Sequence, residues 1–158
     1  MLRMLVALLF LTLPAFGQDV EDLSPRAGWE VFETEHDFAT LVDRTRSAVS
    51  ANGLAVVTRA GPTGAAANRG IEIPGNMVIG AFNNAFAVRI LRLSTHAMIH
   101  APIRLYVTEN ADGRATLSYI RPTTLFAPYL DNADPDLSDA ASELDVIFAA
   151  IAEDAAAL

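Results

Sequence analysis

Two runs of alternating residues, Arg104-Leu105-Tyr106-Val107-Thr108-Glu109 and Ala115 to Ile120, flank Ala111-Asp112-Gly113. Asp-Gly supplies the positive backbone dihedrals that a tight reversal requires, so this stretch reads as an antiparallel hairpin. An antiparallel sheet with one apolar face needs a covering layer, and the rest of the chain must provide it.

The remaining pattern provides helices. Trp29 to Thr34 alternates apolar and polar residues with one slip and reads as a first strand. From Asp37, Phe38, Leu41, Val42, Thr45, Ala48 and Val49 recur at three and four residues, and Gly53 stands where a left-handed helix C-cap is wanted. Leu54 to Thr58 is a second strand. Ala60 to Gly75, rich in glycine and proline, is a connection with room for one helical turn. Met77 to Phe82 is a third strand, Ala85 to Leu93 a short helix, and Pro102 restarts the chain as extended. A proline-bearing loop from Arg121-Pro122 to Pro135 precedes a closing amphipathic helix marked by Leu137, Leu144, Ile147, Phe148 and Ile151. The expected fold is a two-layer α+β domain over residues 29–156, strand-helix-four strands-helix with a short helical insertion. Its helices lie on one face of a mostly antiparallel sheet.

The first 17 residues, MLRMLVALLFLTLPAFG, carry a positive start at Arg3, an apolar run, then Pro14 and small residues. They read as a secretory signal peptide, followed by a flexible leader over residues 18–28. The expected location is periplasmic or secreted, with no membrane span after cleavage because the apolar run is too short for one.

Composition narrows the chemistry. All 11 basic residues are arginine, against 19 Asp and Glu in 158 residues, and the formal charge is −8. Such a chain repels a phosphate backbone, so nucleic acid is not an expected partner. There is no cysteine, which excludes disulfides, thiolate nucleophiles and Cys-type metal sites. No phosphate-binding or dinucleotide-binding glycine pattern is present, so no cofactor is expected.

Several segments resemble the bacterial domain of unknown function 302 family. They are Gly70-Ile71-Glu72-Ile73-Pro74, the corner Val78-Ile79-Gly80-Ala81-Phe82-Asn83-Asn84, Ala101 to Val107, and Asp112-Gly113 with Leu117 to Pro122. The resemblance spans roughly Trp29 to Pro122. It implies the same strand-helix-four strands-helix order and frequent homodimers, and it implies no established reaction. The chain departs from the family pattern at the corner, where Phe82-Asn83-Asn84 replaces Gly-Asn-Pro or Cys-Asn-Pro. Ile103 and Arg59-Ala60 stand where relatives carry a Cys and a His.

Of the chemistry-bearing groups, His96-x-Met98-x-His100 is the sharpest. In an extended segment its three side chains share one face, and with Met77 they form a donor set suited to copper or zinc. The competing reading is a loop with one solvated His and Met98 packed beneath it. Arg89, Arg92, Arg104 and Arg121 could together hold an acidic ligand, or pair with the chain's own carboxylates. His36, between Glu35 and Asp37, reads as a surface residue. Asn132 to Glu143 has the oxygen spacing of a calcium loop, but Leu137 replaces the needed glycine, so an acidic helix entrance is the better reading. No nucleophile-base pair stands out, and lysine is absent. The expected function is non-enzymatic binding of a protein partner or small ligand by a homodimer. The alternative is metal binding through His96, Met98 and His100, and a dispersed acid-base enzyme is a third reading without a supporting feature.

Overall fold

The computed structural model describes residues 20–158; the signal-peptide expectation over residues 1–17 lies outside them. Five strands form one fully antiparallel sheet: β1 (Trp29–Glu33), β2 (Ala55–Ala60), β3 (Asn76–Phe82), β4 (Ile103–Glu109) and β5 (Ala115–Ile120), in the order β1-β5-β4-β3-β2. The hairpin is β4-β5, with Gly113 at φ +82° in its turn. Two principal helices, α1 (Phe38–Ala51) and the later Asp136–Ala156, cover one face, as the hydrophobic pattern requires. Between them lie α2 (Thr63–Ala67), α3 (Asn84–Leu93) and α4 (Pro122–Phe126), which makes the closing helix α5. Among the described residues no helix is long and apolar enough to cross a membrane.

The core is built from one phase of each strand. Ile79, Leu105, Val107 and Leu117 are fully buried against Leu41 and Val49 of α1 and Phe148 and Ile151 of α5. Small residues on α5, Ala140, Ala141, Ala152 and Ala155, are buried as well and bring that helix close to its neighbours. The buried hydroxyl of Thr45 is satisfied by donation to Leu41 O at 2.7 Å. Because β1 and β2 are opposite edges of the sheet, α1, which joins them, must run beneath its whole width.

Capping follows the side-chain chemistry. Asp37 Oδ1 accepts from Thr40 N at 2.8 Å, and these hydrogen bonds hold its carboxyl below the usual range. The corner residue Asn83 accepts from Ala85 N and Phe86 N and donates to Gly53 O at 2.9 Å, a structural role for the corner. The acidic entrance of α5 is as expected: Asp134 Oδ1 accepts from Asp136 N, with Asp136 and Asp139 in the first turn. At its far end the last carbonyls receive donors from elsewhere. Arg44 donates to Ala155 O at 2.7 Å and to Asp154 O at 2.9 Å, and His36 Nε2 lies 2.8 Å from Ala157 O. His36 is therefore not simply solvated, as its flanking carboxylates suggest.

Two expectations are corrected. The stretch from Pro122 to Asn132 is not a loop but α4 followed by a 3-10 turn over Ala127–Asn132. Pro122 occupies the first turn of α4, where a missing N–H costs nothing, and Asp145 of α5 accepts from Thr123 N and Thr123 Oγ1 at 2.9 and 2.6 Å. The segment around Met98 is likewise a 3-10 turn, Ala97–His100, and not extended. Toward the leader, Asp22 accepts from Ala111 N at 2.9 Å, and the Arg26 guanidinium sits 5.3 Å from the centre of the Trp29 ring.

Candidate functional site

The sheet face opposite the helices carries the second phase of each strand. The register sets Trp29 beside Ile120 and Arg104 beside Gly80; Tyr106 stands between Ser118 and Val78. Gly80 is required here: a Cβ would lie 2.2 Å from Thr58 Oγ1 and 2.9 Å from the Pro102 ring, which packs over this part of the sheet.

The chain rounds one end of the sheet twice, and each passage presents one side chain inward and one outward. In the 3-10 turn Ala97–His100, Met98 borders a void of about 30 Å³ with Phe86 and Phe148, whereas His100 emerges on the open face. In α4, Phe126 is buried and Leu125 reaches the open face. Between these walls and the strands lies a cleft of about 370 Å³. Trp29, Val78, Tyr106, Ile120 and Leu125 supply its apolar surface, and Asn76, His100 and Arg104 its polar groups.

These polar groups are positioned by their neighbours. The Asn76 amide donates to the Tyr106 hydroxyl. His100 Nε2 and the Tyr129 hydroxyl are 3.1 Å apart, and the imidazole meets the Tyr129 ring edge-on at 5.5 Å between centres. Burial, and then the nearby Arg104 charge, hold His100 below the ordinary imidazole value, which favours the neutral ring. Arg104 forms no ion pair among the described residues. Among the described residues no Asp or Glu lines the cleft.

The sequence-derived candidates separate in space. Arg89 pairs with Glu143 at 2.6 Å and Arg121 with Glu30 at 3.7 Å, Arg92 is exposed on α3, and Arg104 alone of the four lines the cleft. The proposed metal set is also dispersed. His96 is exposed, Met98 faces the core, His100 faces the cleft, and Met77 packs on the helix side of the sheet. The cause is the 3-10 turn, which removes the two-residue alignment of an extended segment. Among the described residues no three His, Asp or Glu side chains group as a metal site. Sequence reasoning missed Trp29, Asn76, Tyr106 and Leu125 as lining residues. The available signal was the strand phase opposite the core, together with the single tryptophan.

Fold and cleft define a class: a small two-layer α+β domain with helices on one side of its sheet and an apolar, cation-bearing cleft on the other. Within that class the chain belongs to the family described as Domain of unknown function DUF302, whose family model matches residues 30–155. Among solved structures it is similar to an uncharacterized conserved DUF302 protein from Bacillus stearothermophilus. That match has a TM-score of 0.72 and 17% identity over 82% of this chain and 99% of the other, a likeness that shows the fold. No curated protein matches the chain.

Proposed function

We propose that this protein is an exported, non-enzymatic binding domain that acts as a homodimer and takes a small organic ligand in the open-face cleft. The observation that carries the binding reading is the cleft itself. Its volume of about 370 Å³, apolar walls and a few convergent polar groups are the usual makings of a small-molecule site. Export rests on the signal-like first 17 residues. The homodimer rests on the resemblance to a frequently dimeric family and on the free sheet edges. A bulge between Val56 and Thr58 interrupts β2, whereas β1 runs in unbroken register and is the edge suited to a second copy.

Trp29 is the only tryptophan and it lines the cleft, so its fluorescence and its single indole N–H resonance report occupancy directly. A screen of small neutral and anionic fragments against the full chain is expected to give saturable shifts of that resonance. A screen in which no fragment moves it removes the binding reading. Native mass spectrometry of protein recovered from the exporting host tests the other two parts. A dimer beginning at Gln18 is expected; a monomer, or a chain retaining Met1, overturns the corresponding part.

A further inference from the structure

Arg104 is the cation the chain leaves over at its cleft. In a chain with 19 carboxylates against 11 arginines, it has no carboxylate within 4.0 Å among the described residues and borders a cleft lined by neither Asp nor Glu. Other arginines, Arg92 among them, also lack an ion pair among the described residues, so the setting carries the argument: a guanidinium beside a concave apolar surface without described carboxylates suits an external anion. The anion's class follows from what else is present. A phosphate is held by several donors at once, from helix N-termini, backbone N–H groups or clustered cations. Here there is one guanidinium, whose planar fork matches one carboxylate, with the Asn76 amide and the His100 ring as uncharged neighbours. His100 spends Nε2 on Tyr129 and makes no other hydrogen bond to the described residues. The rest of the lining selects the ligand's body. Trp29 and Tyr106 offer aromatic surfaces, and Val78, Ile120 and Leu125 offer aliphatic ones.

We propose that the cleft is a site for a small aromatic monocarboxylate, with its carboxylate on Arg104 and its ring against Trp29 and Tyr106. This rests on the binding reading above and names its ligand class. The test uses the full chain, ¹⁵N-labelled, with phenylacetate and its neutral isostere phenylacetamide as probes and the Trp29 indole resonance as the readout. Phenylacetate is expected to bind about tenfold more tightly than phenylacetamide, the size of one charge-assisted hydrogen-bonded contact. Arg104 is exposed, so its replacement leaves the core intact. Arg104→Gln is expected to bring the two probes within about twofold of each other by removing the charge, and Arg104→Lys to keep part of the preference without the planar fork. Equal affinity of the two probes for the unaltered chain overturns the carboxylate assignment but leaves the cleft a neutral-ligand site. A resonance that moves on dilution and with neither probe gives the face to a second copy and overturns the assignment. A resonance unmoved by these probes and by the whole fragment screen removes the binding reading as well.

Discussion

The two faces of the sheet are made from the same strands and obey different rules. On the helix side the central residues are enclosed: Leu105, Leu117 and Phe148 have no exposed surface, and only flanking residues such as Phe32 and Met77 are partly exposed. On the other side Val78, Tyr106 and Ile120 are only half covered, and polar groups stand among them. The first face holds the fold together, because most of its apolar area is removed from water. The second tolerates partial exposure and keeps concavity, and those are the properties that a binding surface needs. Substitutions should separate the two faces.

The largest effect is expected from Phe148→Ala, which empties a site packed against Tyr119 at 5.5 Å between ring centres and should cost about 3–5 kcal/mol in urea unfolding. Val78→Ala, on the open face, should cost about 1 kcal/mol or less in the same measurement. Similar losses for the two would erase the distinction. Gly80→Ala tests whether the open face has a rigid part. The close approach of Thr58 and Pro102 predicts about 1–3 kcal/mol of destabilisation by overpacking, read as a lower thermal midpoint.

Acidity should act through the open face. His100 is held below the ordinary value of 6.5 by burial and by Arg104. Between its folded value and 6.5 the unfolded chain binds more protons, so the contribution is fully present above pH 6.5 and is lost as the pH falls through the folded value. Urea midpoints should drop between pH 7.5 and 5, and His100→Gln should flatten that drop; an unchanged slope would assign it elsewhere. The smallest effect is expected from Glu143→Gln, which breaks the pair with Arg89 on the surface of the helix layer. Both side chains are substantially exposed and solvent screens the pair, so the urea midpoint should barely move.

The helix-side face was open to sequence reading because one phase of each strand and one stripe of each helix repeat at fixed intervals. The span Ala115–Ile120 and the Asp37–Gly53 helix with its caps emerge from the pattern alone. Prolines misled the reading after Arg121. Pro122 and Pro128 open helical turns instead of breaking them, and the carboxylate that anchors the first turn, Asp145, lies on another helix. The contact of His36 with Ala157 joins opposite ends of the domain, and local sequence carries no trace of it. The cleft was half visible. Arg104 and His100 draw notice for their chemistry, but their neighbours Trp29, Asn76 and Tyr106 come from three different strands whose register only the folded sheet supplies. Local conformation decided the metal expectation, since a single 3-10 turn sends neighbouring side chains into different surroundings.

The strand order has a consequence for how the chain matures. Among the described residues β1 finds its sheet partner only in β5, the last strand in chain order. During synthesis the earliest described strand must wait, unpaired, until the last one leaves the ribosome, and the rate of closure is governed by that long-range encounter. Truncation from the downstream end removes α5 and α4 first and leaves β1 unpaired once it reaches β5, which makes newborn chains lacking β5 natural targets for chaperones and proteases.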